Sequence, residues 1–132
     1  METKLKKTIF LVDDDVDYII QMTQMLENMG FNVVSACSQK EAEEMIDTVN
    51  MDIAIIDLMM EKMDSGFILS YRLKQINPDI PVIIATAVTS ETGIKFSLED
   101  ENDKKWIKAD LYLEKGLRQD QLQREINKLL KI

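Results

Sequence analysis

Apolar residues along this chain follow two alternating rhythms, short unbroken runs and stripes spaced three and four apart. Thr8 to Val12 is an apolar, β-rich run that stops at Asp13, Asp14 and Asp15, which predicts a first strand ending in acids. Asp15 suits a helix N-cap. Behind it Ile19, Thr23, Leu26 and Met29, or near neighbours, form one helical face, which Gly30 is placed to end. Phe31 to Ala36 predicts a second strand. Ser38 with Glu41 three residues on makes a capping box, and Ala42, Met45, Ile46 and Val49 supply the stripe of a second helix. Ile53 to Ile56 is apolar throughout, as expected of a strand buried on both faces, and Asp57 ends it. Phe67 to Asn77 carries Leu69, Leu73 and Ile76 on a helical face and closes at Asn77-Pro78. Pro81 to Ala87 predicts a fourth strand, with proline tolerated as its first residue. Val88 to Lys108 carries the weakest pattern and predicts a loop plus one irregular helix. Asp110 to Glu114 predicts a fifth strand, Lys115-Gly116 a turn, and Leu122, Ile126, Leu129 and Leu130 the stripe of a last helix.

Strand and helix thus alternate through the chain. That pattern requires right-handed crossovers and gives a parallel sheet covered by helices on both faces, an α/β fold. At 132 residues the chain makes one domain, 1–132, able to bury about two thirds of its unfolded surface. A hydrophobic fraction of 45% with 30% charged residues fits a soluble globular protein. No apolar run approaches the roughly 20 residues of a spanning helix, and Met1 to Lys7 is too short and polar for a signal peptide. The expected compartment is the cytoplasm, with no membrane partner. Cys37 is the single cysteine and reads as a small core or strand-end residue.

Charge and composition remove several function classes. A formal charge of −8 argues against direct nucleic-acid binding, which needs a basic surface, and permits a basic protein partner. The absence of histidine excludes His-based triads, His-ligated metal and a self-generated phosphohistidine. Four glycines leave no place for a dinucleotide fingerprint or a Walker A loop. Any chemistry must rest on the acids.

In a parallel sheet the carboxyl ends of all strands share one edge, where open α/β sheets hold their ligands. Strand one brings Asp13 and Asp14 there, strand three Asp57, strand four Thr86 and strand five Lys115. Each alone has an ordinary explanation as a helix entry, a strand end, a turn hydroxyl or a solvated charge. Together they make a site. Three carboxylates in one crevice repel by as much as about 4 kcal/mol per pair at an effective dielectric of 20, so they call for a cation. A hard, oxygen-rich set suits Mg²⁺. With an ammonium and a hydroxyl added, the site can hold a phosphoryl group, and Asp57 is the candidate acceptor.

Val12-Asp13-Asp14-Asp15, Ile55-Ile56-Asp57-Leu58-Met59-Met60, Met63-Asp64-Ser65-Gly66-Phe67, Pro81-Val82-Ile83, Thr86-Ala87 and Tyr112-Leu113-Glu114-Lys115 together resemble the receiver domain of two-component response regulators. The resemblance covers nearly the whole chain. It implies a flavodoxin-like (βα)5 fold with strand order 2-1-3-4-5. It also implies that Asp57 takes a phosphoryl group from a phosphohistidine on a sensor histidine kinase or histidine phosphotransfer protein. Asp14 and Asp57 would ligate Mg²⁺ directly with the Met59 backbone carbonyl, and Asp13 largely through water. Lys115 and Thr86 would hold phosphoryl oxygens, and Tyr112 would be the aromatic that moves with Thr86.

On this resemblance the chain is expected to be a stand-alone receiver that modifies itself rather than an enzyme with independent turnover. It would act on a downstream effector protein, and a homodimer through the fourth helix, fifth strand and fifth helix face is compatible with it. Glu61 and Gly116 stand where the family often has proline, and the stretch from Thr86 to Lys115 is longer than the family's by about two helical turns. A non-switching pseudo-receiver serving as a protein-binding module is the alternative. A phosphohydrolase with an aspartyl nucleophile ranks below both, because its second acid would fall at Met59.

Overall fold

A computed structural model of the chain describes residues 6–58, 60–62, 65–86, 109–116 and 118–132. The described elements are β1 (Thr8–Val12), α1 (Val16–Asn28), β2 (Asn32–Ala36), α2 (Gln39–Met45), β3 (Ile53–Asp57), α3 (Ser65–Ile76), β4 (Val82–Thr86), β5 (Leu111–Glu114) and α4 (Gln119–Leu130). The irregular helix expected in Val88–Lys108 lies outside the described residues, so α4 is the last helix of the sequence reading. The strands form one sheet in the order β2-β1-β3-β4-β5, all neighbours parallel. This is the doubly wound, flavodoxin-like order, in which the connection reverses direction beside β1 and β3.

Alternation of side chains across the sheet divides the core in two. Phe10, Val12, Ala54, Ile56, Val82 and Ile84 pack with α2 and α3. Ile9, Leu11, Ile53, Ile55, Ile83 and Ala85 pack with α1 and α4 on the other face. Both faces of β3 and β4 are therefore covered, which is why those strands are apolar without alternation.

Helix termini follow their expected chemistry with small shifts. The Asp15 carboxylate accepts the Tyr18 N–H at 3.2 Å, and Gly30 leaves α1 at φ +98°, a region that favours glycine. The inward stripe of α1 is Ile19, Met22 and Leu26, with Met22 taking the place expected of Thr23. Ser38 Oγ accepts from Glu41 N at 3.0 Å, while the Glu41 carboxylate approaches Cys37 N rather than completing a reciprocal box at Ser38. α2 ends at Met45, so Val49 packs against the core from beyond the helix. α3 begins at Ser65, two residues before the expected start, and buries Leu69 and Leu73. Ile76 is instead 50% exposed, because it is the last residue of α3, where the chain leaves the sheet surface. Cys37 lies just past β2 and is exposed, which excludes the core half of its expected role. Among the described residues no helix is long and apolar enough to cross a membrane.

Candidate functional site

The register of the sheet assembles the site. Val12 pairs with Ile56, and Asp57 pairs with Ala85, so Asp13 emerges from β1 beside Asp57 at the end of β3. The ladder continues past the strand tips through Asp13 N to Ala36 O at 3.2 Å, Leu58 N to Ala85 O at 3.2 Å and Lys115 N to Thr86 O at 2.9 Å. These bonds hold the first residues of three loops at the edge. Gly66 holds the α3 side: its N–H donates to Leu58 O at 2.8 Å, and a Cβ there would lie 2.6 Å from Asp57 O and 2.7 Å from Leu58 Cα. Only a residue without a side chain lets α3 approach the acceptor strand so closely.

Asp13, Asp14 and Asp57 each place a carboxylate oxygen within 4.8 Å of the others. Asp13 and Asp57 are buried and Asp14 is exposed. Asp13 Oδ1 accepts the Asp15 N–H at 2.9 Å, which orients that carboxylate. Its Oδ2 lies 2.6 Å from Lys115 Nζ, and the same ammonium is 3.2 Å from Asp57 Oδ1. Lys115 thus bridges the first and third strands from the end of the fifth. Burial, with the Asp13 charge added, pushes the Asp57 carboxyl up from 3.8 to about 6 against the pull of Lys115. For Lys115, burial alone would lower the ammonium's pKa; the hydrogen bonds and charges of Asp13 and Asp57 outweigh it and raise the group.

Thr86 is buried at the tip of β4, one residue beyond the partner of Asp57. By strand parity it belongs with Val82 and Ile84, on the α2/α3 face, whereas Asp57 and Lys115 belong to the α1/α4 face. Tyr112 also packs on the α2/α3 face, edge-on to Phe67 with ring centroids 6.2 Å apart at 69°. The structure therefore brings Asp13, Asp14, Asp57 and Lys115 into one cluster and places Thr86 and Tyr112 on the opposite face of the sheet. The Met59 carbonyl lies outside the described residues.

Two residues at the family's proline positions have definite conformations. Gly116 adopts φ +96°, which a proline ring locked near −65° cannot reach. Glu61 spans the N-terminus of α2, its two oxygens accepting Gln39 N at 2.8 Å and Lys40 N at 3.0 Å. Neither contact is signalled by local sequence. Tyr18 is the site residue the sequence reading missed: Lys115 Nζ lies 4.6 Å from its ring centroid. Burial, reinforced by Asp13 and Asp57 and opposed by Lys115, pushes its hydroxyl up to about 12, so the phenol stays neutral.

A doubly wound parallel sheet that gathers an acidic trio at the tips of β1 and β3, with a lysine reaching in from the end of β5, has its candidate ligand site at the switch point of an α/β fold. The family model of the response regulator receiver domain matches residues 9–127, and the chain belongs to that family. It is 33% identical over 123 residues to the transcriptional regulatory protein ZraR of Escherichia coli K12, covering 92% of this chain and 26% of that protein. The chain thus spans about a quarter of the length of that relative. Among solved structures, a CheY-like receiver domain protein from Methanospirillum hungatei superposes with a TM-score of 0.80 at 25% identity, covering 96% of this chain and 95% of the other. The receiver domain of Francisella response regulator 1452 gives 0.74 at 31% identity, with 96% and 98% covered.

Proposed function

We propose that this chain accepts a phosphoryl group on Asp57 from a phosphohistidine of a partner sensor kinase or histidine phosphotransfer protein, and relays the change by contacts with an effector protein. The observation that carries this reading is the Lys115 ammonium lodged between Asp13 and Asp57, beside a third carboxylate, at the tip of the central strand. Membership in the receiver family supports it.

The donor set fits Mg²⁺, since hard carboxylate oxygens converge there and two of them are buried. Asp13, Asp14 and Asp57 would hold the ion together with the Met59 carbonyl. When bound it supplies positive charge to the phosphoryl oxygens. Asp57, ionised above about pH 6, is the nucleophile: its oxygen forms the new P–O bond as the P–N bond to the donor imidazole breaks. The bonding pair stays on that nitrogen. Lys115 moves from Asp57 Oδ1 to a phosphoryl oxygen, keeping Asp13 as its anchor, and the Thr86 hydroxyl donates to another. Thr86 has to be drawn across from the α2/α3 face, where Tyr112 packs, so the reaction is coupled to that face. The chain modifies itself and turns over no separate substrate.

Acetyl phosphate with Mg²⁺ should add one phosphoryl group, located at Asp57 by mass, and Asp57→Asn should abolish the label while remaining folded. Labelling of the variant at the parent's level would defeat the assignment.

A further inference from the structure

We propose that Tyr18 is a positioning residue for Lys115, its ring face giving the ammonium a third contact beside Asp13 and Asp57. The lysine reaches the site on a four-carbon stem with many rotamers, so two carboxylates alone do not fix where the charge sits. Its backbone is pinned by Lys115 N to Thr86 O at 2.9 Å. Its head contacts Asp13 Oδ2 at 2.6 Å and Asp57 Oδ1 at 3.2 Å, and the Tyr18 centroid stands 4.6 Å away. Tyr18 N donates to the Asp15 cap at 3.2 Å, which fixes the backbone, and the side chain packs against the α1/α4 core beside a small cavity that Met22, Leu113 and Leu122 also line. An aromatic face attracts a cation through its quadrupole, and more strongly where both are shielded from water; Lys115 is only 17% exposed.

The ring therefore favours the ammonium between the two carboxylates, from which it can meet an incoming phosphoryl oxygen. Without the ring, the ammonium spends less time there. Phosphoryl transfer then slows, and a divalent cation competing for the same carboxylates binds more tightly.

The test uses Tyr18→Phe, which keeps the ring, and Tyr18→Leu, which removes it, with Tyr18→Met as the aliphatic substitute if the leucine variant does not fold. Tyr18→Leu should be labelled by acetyl phosphate about three- to tenfold more slowly than the parent at saturating Mg²⁺, with Tyr18→Phe within about twofold. Its Mg²⁺ dissociation constant should fall by about threefold relative to the parent, and this shift should vanish when the parent and Tyr18→Leu both carry Lys115→Met. A shift of equal size with and without Lys115, or no shift, overturns the proposal. So does labelling of Tyr18→Leu at the parent's rate, or slowing of Tyr18→Phe to the level of Tyr18→Leu. The labelling arm rests on the phosphoacceptor reading. If the parent takes no label at Asp57, that reading fails, and the Mg²⁺ cycle alone decides the role of Tyr18.

Discussion

The Asp57 carboxyl titrates at about 6 in the fold against 3.8 ordinarily, chiefly because it is buried and next because Asp13 faces it. Between about pH 4 and 6 the unfolded chain has released this proton and the native chain keeps it, so the native state binds more protons and stability falls as pH rises through that window. Above about pH 6 the cost is constant. Lys115 has the opposite sign: its raised pKa contributes stability at all lower pH, lost only in the alkaline range, and so does not disturb the acid window. Asp57→Asn should therefore be more stable than the parent at pH 7 without divalent metal, by on the order of 2 kcal/mol. The advantage should shrink as pH falls from 6 to 4. Urea unfolding in a chelator at pH 4, 5, 6 and 7 measures it; a variant no more stable than the parent at pH 7 would contradict this account.

At the scale of elements, α2 is a short helix whose start depends on a distant side chain. Ser38 satisfies Glu41 N, and Glu61, from the loop after β3, satisfies Gln39 N and Lys40 N. The N-terminal dipole favours that carboxylate, and the two amides hold its pKa below the usual range. Glu61→Ala should cost about 1 kcal/mol, as loss of a helix cap does, and lower the melting midpoint by about 3–5 °C, with Glu61→Gln in between. A midpoint unchanged in Glu61→Ala would show that solvent serves those amides equally well. The same pair of elements marks what sequence could and could not reveal. β1, β3 and β4 were legible because strands buried on both faces need unbroken apolar runs, and a run that ends in Asp13 or Asp57 shows its own boundary. The stripe of α1 is legible only to within a neighbouring position, since Thr23 and Met22 fit a helical period almost equally and only the packed sheet selects between them. Ile76 continues the α3 stripe beyond the surface that would bury it. Contacts across the chain, Glu61 on α2, Tyr18 on Lys115, and Lys74 Nζ on Ile80 O and Asp110 Oδ2, leave no mark on any local pattern.

Over the whole molecule, an acidic chain brings three carboxylates together at the site, and Lys115 among them offsets part of their repulsion. A net charge of −8 is spread over the surface, but three of the acids converge within 4.8 Å at the sheet edge. A cation bound to the native site and not to the unfolded chain adds stability by mass action, about 2.7 kcal/mol at a hundred times its dissociation constant. For a domain of this size that is a rise in melting midpoint of about 8 to 13 °C. Asp14 is the informative ligand to remove: it is exposed, whereas Asp13 also carries the Lys115 bridge and the Asp15 amide, so its loss would disturb the fold as well as the ion. Asp14→Ala should abolish most of the Mg²⁺ shift. General screening of an acidic protein would also raise the midpoint, but it would do so equally for any acid removed. Asp79 is exposed in the turn before β4, at the opposite edge of the sheet, and Asp79→Ala should keep the full Mg²⁺ shift. Equal losses in the two variants would mean that Mg²⁺ acts on the overall charge and not at the strand tips.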